Sequence, residues 1–337
     1  MSNSIFLNHL ESITQDEWKN QINDTDKYRL ILSVSGYEER STYWVSLILE
    51  SIHKSDMNQF LVVGFRNLSN KLSRPKNDDF YKNQGLSVRQ LDSDDWPDFL
   101  KVLDQKINEI RSIANEKPIE IHVDYSCMPR RWYCRLPFYL EKYLRSKDKA
   151  YFWYSPGEYP DAEYPTAGIE DFHVFSGKPS LSAKFRTHIF GLGFDKIRSQ
   201  AIWSVLDPAN LVCFYTDPGS KEGYVERVKK DNKEIMLSAD YIFTIPMHDF
   251  VHSYSKITGI VREFRSIGDV ILVPDGPKPL ILASSIVPSY LKKIGIVCFH
   301  VSRRKPHDYK LVDVRPSNEK PYGFFFHGPH EENNIKY

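Results

Sequence analysis

Several familiar signatures are missing from this chain of 337 residues. No uncharged apolar stretch approaches the ~18 residues that a membrane span needs, and residues 1–19 lack the basic start and apolar core of a signal peptide. Basic and acidic residues number 45 and 44, so the net charge of +1 gives no global attraction to nucleic acid or to an anionic membrane. The four cysteines, Cys127, Cys134, Cys213 and Cys298, show no CxxC spacing. We expect a cytoplasmic protein with no membrane contact and no structural zinc site.

Cofactor and metal motifs are also missing. Neither GxGxxG nor the P-loop lysine motif occurs, which argues against a nicotinamide cofactor and against a P-loop ATPase. His327, His330 and Glu331 could bind a metal, but they lie in a tail rich in loop residues, so we expect no metal site there. We expect no cofactor, and a nucleotide or cyclic oligonucleotide remains open as a ligand.

Short apolar or β-branched runs alternate with helical patterns in both halves of the chain. In the first half we predict strands near 29–35, 60–65, 86–91, 119–124 and 150–154, and helices near 39–53, 76–83, 97–115 and 130–146. In the second half we predict strands near 187–192, 210–215, 240–245, 269–273 and 295–301, and helices near 196–206, 220–231, 247–266 and 279–292. This alternation predicts an α/β protein of two tandem Rossmann-like domains. Each would be a mainly parallel sheet of strand order 3-2-1-4-5 with helices on both faces.

Composition places the boundaries between these domains. We assign residues 1–155 to the first domain, 156–183 to a connector rich in proline and glycine, 184–302 to the second domain and 303–337 to a C-terminal strand or tail. The aromatic run 322–326 could pack as an edge hairpin on either half.

Landmarks recur between the halves, which suggests an internal duplication; chance alignment of short apolar runs is the alternative. Ser35-Gly36-Tyr37-Glu38-Glu39-Arg40-Ser41 follows the first predicted strand of one half, and Gly193-Phe194-Asp195-Lys196-Ile197-Arg198-Ser199 follows its counterpart. The fourth strands are followed by Met128-Pro129-Arg130 and by Gly276-Pro277-Lys278.

The recurring segments should converge on one crevice in each half. In a 3-2-1-4-5 sheet the first and fourth strands are neighbours, and ligands bind beyond their carboxyl ends. A glycine there lets the backbone approach a ligand, and the following helix offers N–H groups to an anion. Arg130 and Lys278 stand at predicted helix starts, where a cation opposes the helix dipole, so we predict an anionic ligand such as phosphate. Arg40 and Arg198 could reach the same place.

The candidate ligand-binding residues share these two loops in each half. They are Ser35, Gly36, Tyr37, Arg40, Ser41, Ser126, Met128, Pro129, Arg130, Gly193, Phe194, Asp195, Arg198, Ser199, Asp275, Gly276 and Lys278.

Acidic side chains in the first half supply candidates for catalysis. Glu38, Glu39 and Asp124 could perform general acid-base work. The alternative is that the glutamates only complement a helix dipole and that Asp124 caps a helix. Cys127 could be a nucleophile, although an inert thiol near a turn is the more ordinary interpretation.

The arrangement resembles the CARF superfamily, Rossmann-like domains that sense cyclic oligonucleotides in CRISPR and related bacterial immune systems. In that family the ligand site is formed by a loop after strand one and a loop and helix start after strand four. Residues 35–41 match the first position, and Met128-Pro129-Arg130 or Gly276-Pro277-Lys278 match the second; the resemblance covers about residues 29–301. The family's common Thr-Gly-Gly-Thr-Lys form is absent. The resemblance implies a pseudo-dimer within one chain, as in the related SAVED domain.

Three functions follow as hypotheses. The first is a sensor of nucleotides or oligonucleotides in a bacterial defence system, which acts with a protein partner that carries the effector activity. The second is an enzyme that acts on nucleotides or nucleic acid, such as a ring nuclease, a glycosidase or a phosphoribosyl-type transferase. The third is a scaffold that binds only protein.

Overall fold

The protein folds as two α/β units in the computed structural model. The structure describes residues 10–21, 28–50, 59–160, 168–180, 185–291, 294–304 and 311–329. Unit 1 comprises Met1–Pro160 with Leu311–Tyr337, and unit 2 comprises Asp161–Lys310.

The strands and helices alternate along both units. The strands are β1 (Glu11–Thr14), β2 (Tyr28–Ser35), β3 (Phe60–Phe65), β4 (Val88–Leu91), β5 (Ile119–Asp124), β6 (Lys149–Tyr154), β7 (Gly157–Glu158), β8 (Gly168–Lys178), β9 (Arg186–Gly191), β10 (Leu211–Thr216), β11 (Tyr241–Ile245), β12 (Asp269–Pro274), β13 (Ile296–Arg304), β14 (Arg315–Pro316) and β15 (Tyr322–His327). The helices are α1 (Gln15–Gln21), α2 (Tyr43–Leu49), α3 (Arg74–Asn83), α4 (Trp96–Ala114), α5 (Arg130–Tyr133), α6 (Leu136–Tyr143), α7 (Lys196–Leu206), α8 (Tyr224–Asp231), α9 (Lys233–Leu237), α10 (Phe250–Arg265) and α11 (Lys278–Leu291).

Unit 1 contains a seven-stranded mixed sheet of order β1-β15-β6-β5-β2-β3-β4. The strands from β6 to β4 are parallel and have the predicted order 3-2-1-4-5. The tail strand β15 extends this parallel core because it pairs antiparallel with β6, and β1 pairs antiparallel with β15. The aromatic run of the tail therefore belongs to the sheet of unit 1, and that sheet is mixed.

Unit 2 contains a six-stranded sheet of order β11-β10-β9-β12-β13-β8. The strands from β11 to β13 are parallel and again follow the order 3-2-1-4-5. β8 is antiparallel to β13 and lies inside the segment 156–183, which we predicted as a connector. The prolines and glycines at 156–168 dominate the composition of that segment, whereas the apolar residues of β8 pack on the sheet: Ile169 and Phe172 contact the unit 2 core.

The long helices begin and end where local chemistry favours it. Asp95 caps α4 by accepting a hydrogen bond from the main-chain N of Asp98, and Asn115 ends the helix in the left-handed conformation at φ 45°. Asp249 caps α10 in the same way through His252. The helix predicted at 130–146 is instead divided into α5 and α6. Pro137 lies in the first turn of α6, a position that proline favours. In the interior of one continuous helix the same proline would remove a main-chain hydrogen bond and clash with the preceding turn.

Burial of aromatic side chains stabilises the sheet of unit 1. Trp18, Trp44 and Trp153 are at most 1% exposed and pack around His122, which accepts a hydrogen bond from Nε1 of Trp153 at 3.2 Å. Fully burying a large side chain contributes about 1.5–3 kcal/mol. Trp44 in the first predicted helix therefore belongs to the core, as does Trp132 in the fourth, which is also fully buried. Among the described residues, no helix is long and apolar enough to cross a membrane.

Candidate functional site

The first candidate site lies where β2 and β5 run side by side and end at one edge of the unit 1 sheet. Residues 36–38 form the β2 loop, and residues 125–129 form the β5 loop. A Cβ atom added at Gly36 would lie only 2.9 Å from Cβ of Cys127. The two loops are therefore in contact, and a side chain at position 36 would push them apart.

Unit 2 has the same convergence between β9 and β12. Residues 192–195 form the β9 loop, and residues 275–277 form the β12 loop. A Cβ atom added at Gly193 would lie 2.4 Å from the main-chain oxygen of Asp275 and 3.3 Å from Cα of Gly276. In both units the structure thus brings together the two segments that the sequence places at the switch point.

Serine hydroxyls fix the start of the β2 loop. The main-chain N of Gly36 donates to Oγ of Ser41 at 2.7 Å, and that hydroxyl donates to the carbonyl of Val34 at 2.5 Å. Ser35 donates to Oδ1 of Asp78 at 2.6 Å. Because Ser35 and Ser41 are fully buried, they shape the loop from inside and present no hydroxyl to solvent.

A buried asparagine holds the glycine of each unit, and sequence reasoning missed both. Nδ2 of Asn77 in α3 donates to the carbonyls of Gly36 and Glu38, both at 2.9 Å. Nδ2 of Asn232, which lies between α8 and α9, donates to the carbonyl of Gly193 at 2.8 Å. The two asparagines are 2% and 1% exposed. An amide on the core side of the helix after strand two is the signal that could have revealed them.

Arg40 is completely buried beneath the first site. Its Nε donates to Oε2 of Glu38 at 2.6 Å, and Nη1 donates to the hydroxyl of Tyr154 at 3.2 Å and to the carbonyl of Ser155 at 3.0 Å. Nη2 donates to the carbonyl of Ser126 at 3.4 Å. The guanidinium group therefore links the β2 loop, the β5 loop and the end of β6.

The charge of Arg40 is preserved in this interior position. Burial alone lowers the pKa of Arg40, but the carboxylate of Glu38 and the phenols of Tyr154 and Tyr159 more than offset it, so the pKa lies well above its ordinary value. For the nearby Tyr125, burial raises the pKa, because it disfavours the charged phenolate; its ring stacks on that of Tyr154 with a centroid distance of 5.5 Å. The site thus contains a buried cation whose ion-pair partner is the carboxylate of Glu38.

Arg198 has the corresponding position in unit 2. It is fully buried, and Nε donates to both carboxylate oxygens of Asp275 at 2.9 Å. Nη2 donates to the carbonyl of Val301 in β13 at 2.5 Å. The neighbouring Ser199 is equally buried. Like Arg40, Arg198 links the first helix to the loop after strand four and to strand five.

These positions correct part of the predicted ligand set. The sequence predicts that Arg40 and Arg198 contact phosphate, but both guanidinium groups are inside the protein and bond to its own carbonyl and carboxylate oxygens. Asp195, also predicted as a ligand contact, caps α7 by accepting from the main-chain N of Arg198 at 3.1 Å. We describe the two arginines as positioning residues.

The β5 loop is fixed by the carboxylate of Asp124. Its Oδ1 accepts from the main-chain N of Ser126 at 3.0 Å and from the Ser126 hydroxyl at 2.5 Å. Oγ of Ser126 in turn accepts from the main-chain N of Ser155 at 2.8 Å. Asp124 therefore stabilises a turn. It does not cap a helix, the alternative role that we considered, because the N-cap residue of α5 is Pro129. Met128 is buried at 1% exposure and packs inside the loop.

The two glutamates of the β2 segment differ in their surroundings. Oε2 of Glu38 accepts from Arg40, and Sγ of Cys127 lies 3.7 Å from the same oxygen. Glu39 is more exposed: its carboxylate lies 3.6 Å from Nε of Arg315, and its main-chain N donates to Asp313 at 2.7 Å. Of the two glutamates, Glu38 is therefore the one that lies on the β2 loop.

Half-buried residues form the rim of the unit 1 crevice. Tyr37, Pro129 and Arg130 are all partly exposed. Pro129 precedes α5, and Arg130 is the first residue of that helix, so the predicted cation does stand at a helix start.

The rim of the unit 2 crevice carries a cation and an aromatic ring. Lys278 is the first residue of α11, and it and Gly276 are half-buried. The ring of Phe194 packs edge-on against Tyr224 at 5.0 Å, and Cζ of Arg227 lies 5.0 Å from the Phe194 centroid. Phe194 therefore combines an apolar surface with a neighbouring positive charge.

Comparisons with known proteins leave the family of the chain open. No protein-family model matches the chain, and no curated protein matches it significantly. Within the described part of the chain, no group of three or more His, Cys, Asp and Glu is arranged to hold a metal ion. His330 and Glu331, which we considered as metal ligands with His327, lie outside the described residues.

Proposed function

We propose that the protein is a nucleotide- or oligonucleotide-binding sensor of a bacterial defence system, which acts with a partner that carries the effector activity. One observation carries the proposal: in both units the loops after strands one and four meet at the switch point, beside a half-buried cation at a helix start. Ligands of doubly wound sheets bind at this place. The resemblance to CARF domains supports the same ligand class.

The cations at the rim support an anionic ligand. Arg130 and Lys278 are the first residues of α5 and α11. In the 14-residue helix α11, a positive charge in the first turn opposes the helix dipole by about 0.3–1 kcal/mol, and an anion at the same place reverses that sign. The lack of a side chain at Gly36 and Gly193 lets the two loops of each unit lie in close contact beside these cations.

The proposed contacts divide into positioning and binding groups. Arg40, Arg198 and the two loop asparagines hold the crevice, whereas Arg130 and Lys278 contact phosphate. Tyr37 and Phe194, both half-buried at the rim, would pack on bases. Base stacking on an aromatic ring contributes about 1–3 kcal/mol per base.

We further propose that the two units arose by internal duplication and form two equivalent sites. Three shared features support this: the same parallel strand order, an asparagine that donates to the glycine carbonyl, and a buried arginine that bonds to a carbonyl at strand five. A stoichiometry of two ligands per chain follows from this origin. An experimental structure in which the parallel cores of the units fail to superpose would remove the duplication.

Isothermal titration of the full chain with mono-, di- and cyclic oligonucleotides tests the binding proposal. We expect heat from at least one of them, and Arg130→Ala should weaken that binding at least tenfold. Arg135→Ala is the matched control, because Arg135 is exposed on the same segment and lies over the ring of Trp96. Lys278→Ala is paired in the same way with Lys233→Ala, whose side chain is exposed. Absence of heat from every ligand would remove the proposal and favour a protein-binding scaffold.

An enzyme that acts on nucleotides is the second candidate, and the carboxylate of Glu38 favours it. That group lies on the crevice loop between a guanidinium group and the thiol of Cys127. Incubation of the same ligands with the protein, followed by chromatography, would reveal turnover. An enzyme that uses Glu38 loses turnover on Glu38→Gln and keeps it on Glu39→Gln, whose carboxylate faces Arg315, whereas a pure sensor returns every ligand intact.

A further inference from the structure

A short C-terminal segment of unit 1 lies across the start of the helical segment that follows β2. We call residues 313–317 the strap. It contains β14, which pairs antiparallel with β7 so that Arg315 lies opposite Glu158. The main-chain N of Ser317 donates to the carbonyl of Pro156 at 3.0 Å. One side of the strap is therefore fixed to the chain that follows β6.

The other side of the strap binds the start of the helical segment. Oδ1 of Asp313 accepts a hydrogen bond from the main-chain N of Glu39 at 2.7 Å, and Oδ2 accepts from the hydroxyl of Ser73 at 2.6 Å. The carbonyl of Val314 accepts from the main-chain N of Arg40 at 3.1 Å. Two main-chain donors at the helix start are therefore satisfied by the strap.

Unit 2 caps the corresponding helix from within its own loop. There Asp195, directly before α7, accepts from the main-chain N of Arg198, three residues further along the chain. Glu38 has the corresponding position in unit 1, yet its side chain makes no capping bond and binds the guanidinium of Arg40 instead. The carboxylate that accepts from the helix start of unit 1 lies 274 residues away from its donor. The two units thus differ in whether this cap is local or remote.

A remote cap can leave its position while the sheet stays folded. A local cap moves with its helix, whereas the strap is held through a ribbon of only two residue pairs between β7 and β14. The side chain of Arg315 in that ribbon is 78% exposed. Segments with few buried side chains open at a much lower free energy than the whole domain. We therefore expect the strap to dissociate and rebind as a unit.

The strap is linked to the unit 1 crevice through Arg40. Val314 is 2% exposed and contacts Gly157, and a Cβ atom added at Gly157 would lie 2.8 Å from Nη1 of Arg40. Nε of Arg40 donates to Oε2 of Glu38, which lies 3.7 Å from Sγ of Cys127. A docked strap therefore helps to hold the β2 loop against the β5 loop.

A second link runs through Ser73 at the start of α3. Its hydroxyl donates to Asp313, and its main-chain N donates to the carbonyl of Tyr37 at 3.0 Å. Tyr37 is the half-buried aromatic residue at the rim of the crevice. One residue thus joins the strap to the rim.

We propose that the strap is a gate of the unit 1 crevice. The docked strap holds the β2 loop closed on the β5 loop, and its release removes the acceptors of Glu39, Arg40 and Ser73 and lets the two loops separate. The gating itself requires no ligand, whereas its role in the entry of a nucleotide rests on the proposed function. The local cap of unit 2 implies that a ligand enters that crevice without this step.

The thiol of Cys127 reports the state of the gate. Cys127 lies half-buried where the two loops meet, whereas Cys134, Cys213 and Cys298 are buried. Iodoacetamide should therefore modify Cys127 first, and Cys127→Ser should remove this fastest phase. Because the contact between the loops shields the thiol, the rate of that phase measures how often the crevice opens.

Weakening the strap should speed this modification. Asp313→Ala removes the acceptor for both Glu39 and Ser73, and it should raise the rate at least about tenfold. Arg315→Ala is the matched control, because it changes the same strap at an exposed ion pair of little energetic value. We expect it to change the rate by less than about twofold.

Locking the strap should have the opposite effect. Directly opposed residues of antiparallel strands have Cα atoms about 4.5–5.5 Å apart, a separation that a disulfide bridges. In the double variant Glu158→Cys with Arg315→Cys, mild oxidation should therefore fix the strap on β7. Cys127 should then react more slowly with iodoacetamide than in the reduced form of the same variant.

The two comparisons decide the proposal independently. Equal rates in wild type and Asp313→Ala, or equal rates in the oxidised and reduced double variant, would overturn the gate. The second comparison retains its force if Asp313→Ala fails to fold. Nucleotides that bind to neither unit would remove the proposed function, but they would leave these rates and the gate unchanged.

Discussion

Removal of the buried guanidinium of Arg198 should destabilise unit 2 strongly. Nε of Arg198 bonds to both oxygens of Asp275, whose side chain is only 3% exposed. In Arg198→Met the carboxylate remains buried without its main counter-charge, and the carbonyl of Val301 loses a donor. Breaking a buried ion pair on one side costs about 3–5 kcal/mol.

This cost translates into a large change in hydrogen exchange. Since about 1.36 kcal/mol corresponds to a factor of ten, the slowest amides of β12 should exchange two to almost four orders of magnitude faster in Arg198→Met. The double variant Arg198→Met with Asp275→Asn removes both charges and should regain at least about 1 kcal/mol relative to the single variant.

Hydrogen exchange followed by mass spectrometry measures the effect within unit 2. The control is Arg186→Met in the neighbouring strand β9, because Arg186 is exposed and its loss should change stability by no more than about 0.5 kcal/mol. A change of less than tenfold in Arg198→Met would refute the argument. So would a double variant as unstable as the sum of its two single variants.

Three further outcomes follow from the structure. Asn77→Ala should speed exchange in the β2 loop and leave the β9 loop unchanged, whereas Asn232→Ala should do the reverse; equal effects on both loops would contradict the assignment. Gly193→Ala places Cβ 2.4 Å from the carbonyl of Asp275 and should destabilise by about 1–3 kcal/mol in thermal unfolding, and an unchanged melting temperature would argue against the close approach. Burial and the nearby Arg186 lower the pKa of His188 from 6.5, so the unfolded chain binds a proton more readily and stability falls as the pH drops below that value. Urea midpoints at about pH 5.5 and about pH 7.5 should differ less in His188→Gln than in wild type, and an equal difference would contradict this linkage.

The sequence was sufficient for the parallel core of each unit because that information is local. Apolar runs of strand length alternate with amphipathic helices, and chirality and connection rules then restrict the strand order. The convergence of the loops at Gly36 and Gly193 follows from that order. The antiparallel pairing of β8 with β13 and of β15 with β6 does not follow from that order, because antiparallel addition to a sheet edge depends on contacts between distant segments. The composition of residues 156–168 concealed β8.

The roles of the arginines needed the structure for a related reason. An arginine one turn into a helix can point to solvent, to a ligand or into the protein. The decision for Arg198 rests on Asp275, 77 residues further along the chain. For Arg40 it rests on carbonyls of Ser126 and Ser155. Sequence spacing contains no signal for such long-range partners, although it did indicate that both arginines lie at the crevice.

Binding of a nucleotide between the first-strand and fourth-strand loops is the proposed activity of both units. Hydrogen exchange of the full chain, with and without a mixture of cyclic di-, tri- and tetra-adenylate, tests it most directly. We expect slower exchange in the β2 and β5 loops, in the β9 and β12 loops, or in both pairs. Unchanged exchange in all four loops, or protection confined to other surfaces, would contradict it.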